Sequence, residues 1–232
     1  GFTLVELTVV LVVVAVVISA VIKGIELIDS ARVVRAVAQV KSIESATKNF
    51  LGIYGALPGD IKAPGTKLTN CTSENCMLSG NQDKKICSWL MGECRPMGFS
   101  QGDLTNSVIH GTEERAYWHH LIAAGLIPDF YQTEASEDAP AWARTEKYGP
   151  KIPFGTQGRW VLAYYDTVKA KEIWLHVDRG QAEMKGHALT LDNAAYNSGS
   201  GGITPLQARG IDFKIDDGKP MTGNVMERGF GC

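Results

Sequence analysis

Charge and proline are both missing from the most apolar part of the sequence. Residues 7–22 contain no charged side chain, and the first proline of the chain is Pro58. This run is far longer than a β-strand, and it lacks the basic start and small-residue cleavage site of a secretory signal. A helix from Phe2 to Ile22 would be roughly 31 Å long, the apolar thickness of a bilayer. The sequence therefore predicts a membrane-competent helix that ends at Lys23.

The sequence also lacks an excess of positive charge and the common catalytic motifs. Its formal net charge is -2, so charge does not indicate a nucleic-acid partner. HExxH, CxxCH, GxSxG and phosphate-binding glycine loops are absent, and the SxxK spacing of Ser45 and Lys48 lacks the companion SDN and KTG motifs. We therefore expect no enzyme, and no cofactor apart from the calcium considered below.

Apolar residues continue past Lys23 with a different spacing. They recur every three or four residues, as on one face of a helix: Val33, Val37, Val40, Ile43, Thr47, Phe50 and Tyr54. The helix breakers Gly55 and Pro58 follow this stripe. The pattern predicts one helix of about fifty residues, amphipathic in its second half.

These patterns predict an α+β protein in two parts. The first is an N-terminal helix over residues 1–55, in which 1–23 suit a membrane and 24–55 pack on a head. The second is a globular head over residues 56–232. A disulfide-stapled head with a small antiparallel sheet is the expected fold class.

The head contains four segments with a predicted structure. Residues 113–124 form a helix with two glutamates in the first turn, where the helix dipole favours them. Residues 159–166 and 171–178 alternate apolar and polar side chains, which predicts an antiparallel hairpin. The sequence TPLQ at residues 204–207 combines a capping threonine, a first-turn proline and a glutamine three residues after the cap, so it begins a third helix.

Five cysteines all lie outside the apolar run, which indicates an oxidising compartment: Cys71, Cys76, Cys87, Cys94 and Cys232. Four of them cluster in a loop-like stretch and allow three pairings, among which the spacing does not choose. The local option joins Cys71 to Cys76 and Cys87 to Cys94. Cys232 is the odd cysteine, either paired with the head or free for another chain.

The third helix is predicted to end at about Ile215, and three aspartates lie around that end: Asp212, Asp216 and Asp217. The helix dipole disfavours negative charge at that end. Calcium would offset this unfavourable negative charge, because it prefers hard oxygen ligands such as carboxylates. Lys214 and Lys219 could relieve it instead, and Asp-Gly is an ordinary turn sequence.

The N-terminal pattern resembles a known family. FTLVEL, continued by an apolar helix and then an amphipathic one, is similar to the N-terminal signature of type IV pilins and of type II secretion pseudopilins. The resemblance covers roughly residues 2–55. YGALPGD and the distal TPLQARGIDFKIDDGKPMTG are similar to a subgroup of bacterial prepilin-type proteins.

The resemblance implies roles for three residues near the terminus. In the family a prepilin peptidase cuts after a glycine and the new terminal residue is methylated, which assigns these steps to Gly1 and Phe2. Glu6 takes the place of the acid that pairs with the amino group of a neighbouring subunit. Because Gly1 belongs to the chain, either the processed terminus is Phe2 or the amine lies one residue further from Glu6.

The expected function is therefore structural. We expect a subunit held in the inner membrane before assembly and then packed, copy against copy, into an extracellular type IV pilus-like filament by the assembly machinery. A minor pilin or a secretion pseudopilin is the alternative within this class. A signal-anchored extracytoplasmic enzyme or binding protein is the alternative from another class, and it would not need Glu6.

Overall fold

The computed structural model describes residues 1, 3–86, 112–130, 149–154, 158–165, 186–193, 203–219 and 225. In chain order the elements are α1 (Leu4–Tyr54), α2 (Pro64–Lys67), α3 (Thr112–Ala123), β1 (Gly158–Tyr165), β2 (Gly186–Asn193) and α4 (Pro205–Ile215). The chain divides into two compact units. Unit 1 comprises Gly1–Ala38 and Ile203–Gly229, and unit 2 comprises Gln39–Gly202 and Phe230–Cys232. The two-domain division predicted from the sequence stays a prediction.

The long N-terminal helix is confirmed. α1 is continuous from Leu4 to Tyr54, a length of 51 residues. It ends at Gly55, whose φ of 70° lies in the left-handed region that glycine adopts without strain. The Gly55 amide donates to the Leu51 carbonyl at 2.9 Å and closes the last turn.

The predicted amphipathic stripe on α1 is also confirmed. Val33, Val37, Ile43 and Phe50 are buried. Their neighbours on the stripe, Val40, Thr47 and Tyr54, are partly buried. Charged side chains on the other faces form weak ion pairs along the helix surface, Asp29 with Arg32 and Glu44 with Lys48.

Unit 2 packs α3 against the second half of α1. The Tyr117 and Thr47 hydroxyls share a hydrogen bond of 2.5 Å. The ring of Phe50 stacks on the imidazole of His120, with centroids 6.2 Å apart. Burial raises the pKa of Tyr117 to about 12, so its hydroxyl keeps its proton for this bond. The helix itself follows the predicted bounds within one residue.

β1 and β2 pair antiparallel in unit 2, in register from Gly158 opposite Asn193 to Tyr165 opposite Gly186. The predicted strand at 159–166 is therefore present. Its partner in the described residues is β2, a segment that the sequence analysis did not identify as a strand. The predicted partner, residues 171–178, lies outside the described residues.

Gln39 of α1 connects β1 to the helix. The Trp160 indole N–H donates to Gln39 Oε1 at 3.0 Å, and Gln39 Nε2 donates to the Lys151 carbonyl at 3.0 Å. The Gly149 amide also donates to the Trp160 carbonyl. One amide side chain thus satisfies both a strand tryptophan and the loop beside it.

α4 in unit 1 begins as predicted. Thr204 Oγ1 accepts the Gln207 backbone N–H at 3.3 Å, and Gln207 Oε1 accepts the Thr204 backbone N–H at 2.9 Å. These two bonds are a complete capping box. Gly210 brings α4 close to Val33 of α1, since a Cβ at this position would lie 3.3 Å from the Val33 side chain.

Candidate functional site

Glu6 is bonded to Thr3 of its own chain. Glu6 Oε2 accepts the Thr3 backbone N–H at 2.7 Å and the Thr3 hydroxyl at 2.9 Å. The Glu6 backbone N–H in turn donates to Thr3 Oγ1 at 3.3 Å. This reciprocal arrangement is a capping box at the first turn of α1. This capping box was not predicted from the sequence, although Thr-x-x-Glu before an apolar run is its recognised signature.

The surface that follows Glu6 carries no charged side chain as far as Ile22 and is almost entirely apolar. The large apolar side chains of α1 from Leu4 to Ile28 are exposed, and most are more than half accessible. A window of 18 residues within α1 has a mean hydropathy of 2.9 and is 0% buried. Among the described residues, α1 is the helix that is long and apolar enough to cross a membrane. This is the coarse property that the sequence predicted.

The structure describes only one of the two residues assigned to processing. Gly1 is exposed, with open space where a Cβ would lie. Phe2 lies outside the described residues. Cleavage, methylation and pairing of Glu6 with a neighbouring amine therefore stay predictions.

Cys71 and Cys76 form a disulfide, which confirms the first half of the local pairing. Both residues are buried. Cys87, Cys94 and Cys232 lie outside the described residues.

His120 of α3 bridges two loops: the loop that follows α1 and the loop that carries the disulfide. Its Nδ1 accepts the Gly59 backbone N–H at 2.8 Å, so the neutral ring carries its proton on Nε2 and donates it to the Cys76 carbonyl at 2.8 Å. Burial lowers the pKa of His120 to about 4, against the opposing effect of the Cys76 bond. His120 also lies beside the sulfurs of Cys71 and Cys76. The sulfurs are joined to each other and both ring nitrogens are bonded, so this cluster has no free metal ligand.

Asp60 organises the loop that follows the disulfide. Its carboxylate is buried and accepts the backbone N–H groups of Gln82 at 2.5 Å and Lys84 at 2.8 Å. Gln82 and Lys84 have φ values of 64° and 65°, an arrangement that turns successive N–H groups toward one anion. Burial raises the pKa of Asp60 and the two N–H donors oppose that rise. The Asp60 carboxylate therefore holds this loop in place through its bonds to the Gln82 and Lys84 amides.

The three predicted calcium ligands lie together. One carboxylate oxygen from each of Asp212, Asp216 and Asp217 lies within 4.8 Å of the other two. Asp212 is completely buried, Asp216 is partly buried and Asp217 is exposed. Asp216 is the C-cap of α4, and its amide donates to the Asp212 carbonyl. The structure therefore confirms that these residues cluster at the end of the helix.

Comparison with known proteins gave no match: no protein-family model, no curated protein and no solved structure is significantly similar to the chain. The fold therefore defines only a broad class, a protein with a long apolar N-terminal helix. Such a helix fits a pilin-like architecture, and it fits a membrane anchor or a signal sequence as well.

Proposed function

We propose that this protein is the structural subunit of an extracellular type IV pilus-like filament, assembled through the apolar part of α1. The observation that carries the proposal is the apolar surface of residues 7–22, which contain no charged side chain and are exposed all round the helix. A helix that is apolar on every face needs a lipid or protein environment. Lipid of the inner membrane supplies it before assembly, and neighbouring copies of the same helix supply it afterwards.

Glu6 has a defined place in this proposal. A charged carboxylate costs roughly 2.5–3.5 kcal/mol at the centre of a membrane helix on insertion scales, and less near the end. An amino group of a neighbouring subunit would neutralise it inside the bundle. That pairing would fix how far each helix slides along the next, as the resemblance to pilins implies. Gly1 and Phe2 would then be the residues at which peptidase and methylation act.

Major pilins, minor pilins and pseudopilins share this helix, so the helix supports the whole class. We propose the major subunit, with homo-oligomeric contacts, no nucleic-acid partner and no catalysis. A major subunit is expected to dominate the protein of sheared surface filaments. A minor pilin or pseudopilin would be a trace component of such material.

The capping box of Thr3 and Glu6 favours a second candidate, a signal-anchored extracytoplasmic protein. The carboxylate of Glu6 already accepts two hydrogen bonds within its own chain. A monomeric anchor would need no further partner for it, because capping alone explains a glutamate three residues after a threonine.

Three variants separate pairing from capping. Glu6→Ala removes both the charge and the cap, Glu6→Gln removes the charge but retains a capping side chain, and Thr3→Ala removes the capping hydroxyl but retains the charge. If Glu6 pairs with a neighbouring amine, both Glu6 variants lose filaments and Thr3→Ala keeps them. Electron microscopy of sheared surface material counts the filaments. Mass spectrometry of the first peptide identifies the terminus and its methylation.

Two results would contradict the proposal in different ways. Wild-type filament numbers from Glu6→Gln would remove the pairing role while leaving the filament intact. Absence of this chain from surface filaments of wild-type cells, with the protein monomeric in the membrane fraction, would favour the anchored protein.

A further inference from the structure

The outward face of α4 carries two large apolar side chains. Leu206 is 78% exposed and Phe213 is 76% exposed, and among the described residues outside α1 they are the most exposed large apolar side chains. They lie on the same side of the helix, two turns and about 10.5 Å apart, with the exposed Arg209 between them. Ile211 and Asp212 are buried on the opposite side. α4 therefore packs one side within unit 1 and presents an apolar pair on the other.

The exposed ring of Phe213 is supported by the turn that follows α4. A Cβ at Gly218 would lie 3.1 Å from Phe213 Cδ2, and the φ of 73° at Gly218 lies in the left-handed region that favours glycine. The Gly218 backbone N–H donates to Asp212 Oδ1 at 3.3 Å, which ties the turn to the helix. Because the ring rests on this turn, a contact made through it costs less side-chain entropy.

α4 runs alongside α1 in the same direction. Gln207 Nε2 donates to Asp29 Oδ1 at 3.4 Å, and Gly210 lies against the Val33 side chain. A step of three residues along α4 thus matches a step of four residues along α1. α4 therefore begins at about the height of Ile28, close to the apolar part of α1.

A bilayer does not reach the whole of this face. The run of α1 that lacks charge ends at Ile22, and the headgroup region adds only about 5–8 Å to each side of the hydrocarbon core. Along the axis of α1, Leu206 lies about 9 Å beyond Ile22, and Phe213 lies about 20 Å beyond it. Lipid around α1 therefore does not account for the exposed ring of Phe213.

The apolar pair is too small to hold a separate protein by itself. Stable interfaces bury about 800 Å² per partner, whereas an aromatic side chain buries about 150–250 Å². One phenylalanine and one leucine therefore supply about half of the required area at most. The partner must be held mainly by another surface, and a second copy of this chain packed along the apolar part of α1 meets that requirement.

We propose that Leu206 and Phe213 pack on α1 of a neighbouring copy in the filament, a contact that rests on the function proposed above. Pairing of Glu6 with the amine of a parallel neighbour displaces the two copies by about five residues, or about 7.5 Å. The α4 of the copy that supplies Glu6 then faces roughly residues 23–30 of the copy that supplies the amine.

The neighbour's α1 presents a matching surface at this height. Val21, Ile25 and Ile28 follow one another at i, i+4 and i+7, so they share one face, and each is more than half exposed. Val21 and Ile28 have the same two-turn separation as Leu206 and Phe213. The contact joins two different surfaces of the chain, α4 of one copy and α1 of the next. Such a heterologous contact repeats from copy to copy and forms an open filament when it does not close into a ring.

Photo-cross-linking tests the contact directly. Filaments are assembled from chains with p-benzoylphenylalanine in place of Phe213, irradiated and separated on a denaturing gel. The dimer band is expected to contain residue 213 joined to the tryptic peptide of residues 24–32, which follows Lys23 and ends at Arg32. Filaments without a dimer band, or with residue 213 joined only to lipid, to another protein or to other peptides of this chain, would overturn the contact.

Filament stability provides the second readout. Phe213→Glu is expected to raise the fraction of subunits released from purified filaments at a fixed guanidinium concentration at least 3-fold, and Phe213→Ala should raise it by less. Ile28→Lys should weaken the filament in the same way, and combining it with Phe213→Glu should recover at least half of the loss. Ile53→Glu changes another exposed apolar side chain, 65% accessible, and is the matched control with unchanged release expected.

Two outcomes separate this contact from the proposed function. Wild-type release from filaments of both Phe213 variants would overturn the contact and leave the filament proposal standing. Absence of the wild-type chain from surface filaments would overturn both.

Discussion

His120 is the residue at which three parts of unit 2 meet. Its ring accepts from Gly59, donates to Cys76 and stacks on Phe50. A protonated imidazole carries N–H on both nitrogens, so it cannot accept the Gly59 amide. The folded structure therefore requires the neutral form of the His120 ring.

We expect the wild-type chain to lose stability as the pH falls from about 6.5 toward 4. The pKa of His120 is about 4 in the folded chain, against 6.5 as the ordinary value, so the unfolded chain binds more protons in this window. The free energy of unfolding should fall by up to about 1.4 kcal/mol per pH unit from this group. Urea unfolding of the chain at several pH values measures the slope.

His120→Gln provides the test of this assignment. Glutamine cannot take up a proton in this range, so the variant should be less stable near neutral pH but should lose most of the acid slope. His119→Gln, which changes the adjacent and less buried histidine, is the matched control and should keep the slope. An unchanged slope in His120→Gln would show that other groups cause the acid dependence.

At the scale of elements, alanine at either of two glycines near the end of α1 should change the stability of the chain, in opposite directions. Gly52 lies inside the helix with open space at its Cβ position, so Gly52→Ala should stabilise the chain by about 0.5–1 kcal/mol. Gly59 has a φ of 88°, and a Cβ there would overlap the Glu113 carbonyl. Gly59→Ala should therefore destabilise the chain by more than about 1 kcal/mol.

Thermal unfolding followed by circular dichroism compares the two alanine variants directly. Each changes a single glycine within eight residues of the other, so the two serve as mutual controls. Equal melting temperatures would contradict the close approach of Gly59 to α3.

Elements whose signals are local could be predicted from the sequence. α1 follows from its apolar spacing, and α4 from the capping box of Thr204 and Gln207. β2 was missed because its alternation is carried mainly by Leu189 and Leu191, too short a pattern to stand out. The capping box of Thr3 and Glu6 was predictable by the same rule as that of α4, but Glu6 was interpreted only through its charge.

Buried polar residues could not be predicted in the same way. His120 and Gly59 are 61 residues apart in the chain, and Asp60 and Lys84 are 24 apart. The sequence around one partner gives no sign of the other, because these bonds depend on how distant parts of the chain pack in the folded protein. The cluster of Asp212, Asp216 and Asp217 was predictable because one helix end holds all three, whereas the burial of Asp212 depends on packing in unit 1.

At the scale of the whole molecule, most of the exposed large apolar side chains among the described residues lie in residues 4–28. We expect a chain that begins at Asp29 to remain in the aqueous phase of a detergent phase partition, while the full chain enters the detergent phase. Starting at Asp29 retains the hydrogen bond of Gln207 with Asp29 and the approach of Gly210 to Val33. The full chain is the control. Entry of the shortened chain into the detergent phase would show that the remainder also presents a large apolar surface.

The capping box at the start of α1 changes what pairing between subunits would accomplish energetically. A carboxylate that arrives already bonded exchanges one set of partners for another, so assembly would be governed by the difference between two satisfied states. A misplaced subunit would fall back on its own Thr3 rather than hold a bare charge in an apolar bundle. Errors of register would then be mild and reversible, and a growing filament could correct them by releasing the last subunit.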